Sequence, residues 1–116
     1  MKVVHWMIAF CGLWEFGDIA LPFVIGFDRV SAFVWNHILV GMILMFAGAR
    51  AGLSSNVNTA RTMDWMAATA GAWLILAPFL FAAPEIAAGR WNDILVGVIA
   101  LILGMWAVLG LSRKAG

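Results

Sequence analysis

Glu15, Asp18 and His37 are residue types that can relay protons or hold a cation, and each sits in a markedly apolar stretch. Glu15 and Asp18 are three apart, so on a helix their carboxylates share a face. Counting from Arg29, Asp18 lies eleven residues back and His37 eight residues on. At about 1.5 Å per residue, two antiparallel helices leave these side chains only ~4–5 Å apart in depth. Asp18 and His37 can therefore pair. A second geometry pairs His37 with Asp93, its counterpart in a second copy of the same sequence block. A carboxylate at the centre of a bilayer costs about 2.5–3.5 kcal/mol, so its presence there implies a partner or a task.

The duplication is plain in the tryptophans. Trp6, Gly12 and Trp14 recur 59 residues later as Trp65, Gly71 and Trp73. Pro22-Phe23 and Trp35-Asn36 recur 56 residues later as Pro78-Phe79 and Trp91-Asn92. The offset falls by three because the first copy is longer between its tryptophan and its proline, in the stretch that holds Glu15 and Asp18. That asymmetry is the strongest functional clue in the sequence.

Composition sets the environment for these residues. Of 116 residues, 65% are hydrophobic and 11% charged, more apolar surface than so short a chain can bury in a water-soluble core. Four apolar stretches, about 3–27, 31–51, 63–83 and 91–111, are each long enough to cross ~30 Å of hydrocarbon. They lack the alternation of barrel strands. The first is too long for a cleaved leader and reads as a retained span. Lys2, Arg50, Arg61, Arg113 and Lys114 fall on one side against Arg29 and Arg90 on the other, which predicts cytoplasmic termini. The expected fold is all-α and integral to the membrane. Four transmembrane helices form two hairpin repeats, 1–52 and 63–116, joined by a cytoplasmic loop at 53–62. Both hairpins have the same orientation, related by a pseudo-twofold axis along the membrane normal.

Packing signals run along the second helix of each hairpin. From His37 the helical stripe reads Gly41, Leu44, Gly48, and from Asp93 it reads Gly97, Ala100, Gly104. Small residues at this spacing let helices approach closely in lipid, so His37 and Asp93 are expected to face protein, and Val108 lipid. Pro22 and Pro78 each remove a backbone hydrogen bond, to Asp18 and Leu74, and predict a kink or early helix end. Trp6 and Trp65 fit the inner interface and Trp35 and Trp91 the outer one, while Trp14 and Trp73 are expected to pack inside. Asn36 and Asn92 are read as caps or braces at the outer helix starts.

The pattern Gly-x-Trp, x-Pro-Phe and Trp-Asn-(His/Asp)-Ile-Leu-Val-Gly, present twice, resembles the SPW repeat family of small bacterial membrane proteins. The resemblance runs over residues 6–48 and 65–104. The family's Ser-Pro-Trp signature reads Leu21-Pro22-Phe23 and Ala77-Pro78-Phe79 here. It implies a membrane fold in the bacterial inner membrane and no particular activity.

Enzymatic function finds little support in the residues themselves. Cys11 is the single cysteine, so neither a disulfide nor a thiolate metal cluster is expected. No phosphate loop or nucleophile motif occurs, and a net charge of +1 gives no nucleic-acid footprint. His5 and His37 are too far apart to clamp one haem or metal, which leaves His37 alone as a pigment or haem ligand. The leading expectation is a non-enzymatic scaffold or accessory subunit, partnered by other membrane subunits or by itself as a homo-oligomer. Its rival is a small proton or cation pathway built from Glu15, Asp18, His37, Asp93, Asn36 and Asn92.

Overall fold

A computed structural model describes residues 2–17, 31–80 and 87–115. Asp18 and Pro22 lie outside the described residues, as do the side chains of His37 and Trp35. The described chain is all-helical, with α1 at Lys2–Gly17, α2 at Ser31–Leu53, α3 at Val57–Leu80 and α4 at Ala87–Ala115. Among the described residues one helix, over Trp91–Gly110 of α4, is long and apolar enough to cross a membrane; α2 holds a shorter apolar segment, Ile38–Leu53.

The link between α2 and α3 is shorter than the loop expected at 53–62, because only residues 54–56 are non-helical. Asn56 explains the difference. Its Oδ1 accepts the Thr59 N–H at 3.1 Å, and its carbonyl accepts the Ala60 N–H at 3.0 Å. Ser54 Oγ in turn accepts the Asn56 N–H at 3.0 Å. An asparagine cap satisfies orphan donors and starts a helix without any need for apolar residues, so the polar run from Asn58 to Thr62 is helical. At the other end, α3 continues through Pro78 to Leu80, and the proline does not terminate it.

Each helix packs on two others: α1 on α2 and α4, α3 on α2 and α4, with the most extensive contacts in α1–α2 and α3–α4. Glycine makes both of these close. A Cβ added at Gly48 would overlap Ala9 N and lie 2.6 Å from the His5 carbonyl; at Gly104 it would lie 2.8 Å from Ala68 N and 2.9 Å from the Asp64 carbonyl. A Cβ at Gly12 would overlap Met45 N and lie 2.6 Å from the Gly41 carbonyl, and at Gly71 it would lie 2.7 Å from the Gly97 carbonyl. The same contacts thus occur twice, at the offsets of 59 and 56 read from the sequence. Backbones this near exclude any larger side chain.

One apolar core runs through all four helices, and it is filled by size complementarity between equivalent positions. Ile8 shares it with Ala67, Leu44 with Ala100, and Leu103 with Ala47, each large residue matched by an alanine 59 or 56 positions away. Two bulky side chains at each such position would overfill the centre, whereas one large and one small close it. Val108 belongs to the buried set at 4% exposure, not to the outer face expected for it, and its neighbour Leu109 faces outward at 59%.

Candidate functional site

The buried polar side chains form two layers. Near the start of α1, His5 Nε2 lies 2.9 Å from Asp64 Oδ2 on α3. Both residues are almost fully buried, at 3% and 1% exposure. Each immediately precedes the first repeated tryptophan of its copy, so the two are equivalent positions, one basic and one acidic. Sequence reasoning missed this pair because His5 was weighed only against His37, and Asp64, at the start of the apolar stretch 63–83, was given no role. The offset of 59 was the available signal, since it makes His5 and Asp64 equivalent positions of the two sequence blocks.

The second layer lies toward the far end of α1. There Trp14 Nε1 donates to Asn92 Oδ1 at 2.8 Å, and Trp73 Nε1 donates to Asn36 Oδ1 at 2.6 Å. The two bonds are one bond made twice, since Trp73 is Trp14 plus 59 and Asn92 is Asn36 plus 56. Each joins the first helix of one copy to the second helix of the other. Asn36 and Asn92 stand five residues into their helices, past the capping positions, and serve as acceptors across the interface. Trp14 and Trp73 do not pack inside as expected; the two residues are 50% and 38% exposed. An indole needs a partner only for its N–H, so the ring can lie outward once that edge is bonded.

Glu15 extends one of the two bonds. It is fully buried, and its Oε1 accepts from Asn92 Nδ2 at 3.2 Å. The residue 59 positions on is Leu74, equally buried, and the Nδ2 of Asn36 has no hydrogen-bond partner among the described residues. Asp93 is buried on α4 at 1% exposure. Glu15, Asn92, Trp14, Asn36 and Trp73 are therefore brought into one layer. An Asp18–His37 contact falls outside the described residues. Cys11 is buried and free, and among the described residues no three His, Cys, Asp or Glu side chains converge as a metal site.

Two lateral grooves flank these layers. One, of about 690 Å³, lies between α1 and α4 from Lys2 to Trp14 and Asn92; the other, of about 520 Å³, lies between α2 and α3 and includes Trp65 and Trp73. The polar bonds of His5, Trp14, Glu15 and Trp73 each join a helix of one hairpin to a helix of the other.

Neither the curated proteins nor the solved structures searched yield a match to this chain. The SPW repeat domain matches residues 61–114, which take in most of α3 and nearly all of α4. Those residues include the Trp-Asn-Asp-Ile-Leu-Val-Gly segment at 91–97, with the asparagine that receives the Trp14 indole. The second half of the chain is thus similar to the SPW repeat domain.

Proposed function

We propose that this protein is a non-enzymatic scaffold or accessory subunit of a larger complex in a bacterial inner membrane. In this reading α1–α2 and α3–α4 are two transmembrane hairpins in the same orientation, forming a four-helix bundle about a pseudo-twofold axis along the membrane normal, with both termini cytoplasmic. One observation carries it. The buried polar groups His5, Asp64, Asn36 and Glu15 all bond from one hairpin to the other or lie beside such a bond, while large apolar side chains such as Phe10, Phe46, Leu95, Ile102 and Trp106 are more than half exposed. Polar chemistry is spent on holding the fold, and the outer face suits lipid or neighbouring helices. Purification in mild detergent tests the proposal: a second subunit or an oligomer at fixed stoichiometry is the expected outcome. A chain that stays monomeric and alone defeats it.

A second reading, a small proton or cation pathway through Glu15, Asp18 and His37, is favoured by the full burial of Glu15. Reconstituted vesicles distinguish the two, because a pathway gives ion flux that Glu15→Gln removes and a scaffold gives none.

A further inference from the structure

The α1–α4 groove differs from its counterpart in ways that point to a ligand. Its walls are almost wholly apolar, with Val3, Phe10 and Ile99 among them, and its polar points stand at its ends: exposed Lys2 at one, Asn92 with the Trp14 indole at the other. From Lys2 to Trp14 is twelve residues, about 18 Å of helix, against ~15 Å for one leaflet of a ~30 Å hydrocarbon layer. The α2–α3 groove is smaller and carries Thr62 and Thr69 where the first carries Val3 and Phe10, each 59 positions earlier. Both hydroxyls are engaged by their own helix, Thr62 with the Asn58 carbonyl at 3.0 Å and Thr69 with the Trp65 carbonyl at 2.8 Å.

We infer that the α1–α4 groove is a binding site for one acyl chain of an anionic phospholipid whose headgroup meets the Lys2 ammonium. The inference rests on the membrane-spanning reading above, which sets Lys2 at the cytoplasmic interface. A leaflet-long apolar slot that opens, among the described residues, beside the cation of Lys2 complements an acyl chain ending in a phosphate. A whole transmembrane helix, about 10 Å across with its side chains, is too bulky for a slot of about 690 Å³.

The test uses the intact chain in mild detergent, equilibrated with equal amounts of dioleoyl phosphatidylglycerol and dioleoyl phosphatidylcholine and analysed by native mass spectrometry. One phosphatidylglycerol should be retained over phosphatidylcholine by about fivefold, the preference one surface lysine provides. Lys2→Gln should equalise the two lipids while leaving the fold untouched, because its side chain is exposed. Ile99→Trp, which fills the slot, should lower retention about tenfold. Its equivalent Ile43→Trp, in the other groove, should leave retention unchanged. Retention by Ile99→Trp equal to that of the unmodified chain, or a phosphatidylglycerol preference that survives Lys2→Gln, overturns the inference. So does a second copy or another polypeptide in place of the lipid. Should Ile99→Trp fail to fold, Lys2→Gln decides alone. Carbonate extraction of membranes from the same cells separates the two levels: a chain that washes off overturns both readings, whereas one that stays but retains no lipid overturns only this one.

Discussion

The two tryptophan–asparagine joints are the same bond in different company. Trp14–Asn92 is backed by the buried carboxylate of Glu15, which accepts from the asparagine amide at 3.2 Å. Trp73–Asn36 has Leu74 at that position, and the amide nitrogen of Asn36 goes without a partner among the described residues. The joint itself is therefore complete without an acid. Glu15 is an addition to a working structural element, and the first copy has a feature that packing alone does not demand. By contrast, the His5–Asp64 pair needs both copies to differ, since two histidines or two aspartates facing each other while buried cannot form an acid–base pair and repel each other whenever both are charged.

The largest effects should follow from breaking that complementarity. His5→Ala or Asp64→Ala strands a buried polar partner and should cost about 3–5 kcal/mol, read as a fall in the detergent unfolding midpoint. The exchange His5→Asp with Asp64→His should recover most of the loss, because the two positions are equivalent. An exchange as damaging as either single change would show that the copies do not face each other symmetrically there.

Next come the helix crossings. Gly48→Ala drives a methyl group into the backbone of Ala9 and should cost about 1–3 kcal/mol, with Gly104→Ala somewhat less, since its nearest backbone atom is 2.8 Å from the new carbon. The outward-facing Leu109→Ala should change stability by less than ~0.5 kcal/mol. Equal effects in the same unfolding assay would mean the crossings are looser than drawn.

The joints themselves give a smaller and more diagnostic difference. Trp14→Phe leaves Asn92 its bond to Glu15 and should cost about 1 kcal/mol. Trp73→Phe takes from buried Asn36 the acceptor contact it has and should cost more, toward ~2–3 kcal/mol. Equal losses would show that Asn36 is satisfied by groups beyond the described residues.

Much of this architecture was legible from residue types at two offsets. The glycine stripes follow from local rules of spacing, and the glycine contacts recur in the structure at 59 and 56 residues. What escaped was of two kinds. Hydropathy reads Asn58, Arg61 and Thr62 as loop, yet capping by Asn56 makes them helix, because the cap acts through hydrogen bonds that an apolar average does not register. His5–Asp64 and both indole bonds escaped because they run between helices, where the spacing of residues along any one helix carries no signal. Size complementarity was visible too, in Ile8 against Ala67, but it acquires meaning only once both are known to share one core.

The smallest expected change is the one that bears most on function. Glu15→Leu installs the second copy's residue, and Leu74 shows that a leucine is accommodated fully buried in that setting. Removing a buried carboxylate in favour of an apolar side chain of similar volume is often neutral or favourable. Against this, Asn92 Nδ2 loses its acceptor, at about 1 kcal/mol. The opposing effects nearly cancel, so the unfolding midpoint should shift by the equivalent of no more than ~1 kcal/mol, with the Trp14–Asn92 bond intact. A loss as large as that of Asp64→Ala would instead make Glu15 part of the structural lock and remove the asymmetry as a functional clue. If stability holds while a co-purifying subunit is lost, the acid is the contact point of the scaffold. If stability holds and ion flux disappears from vesicles, the pathway reading replaces it.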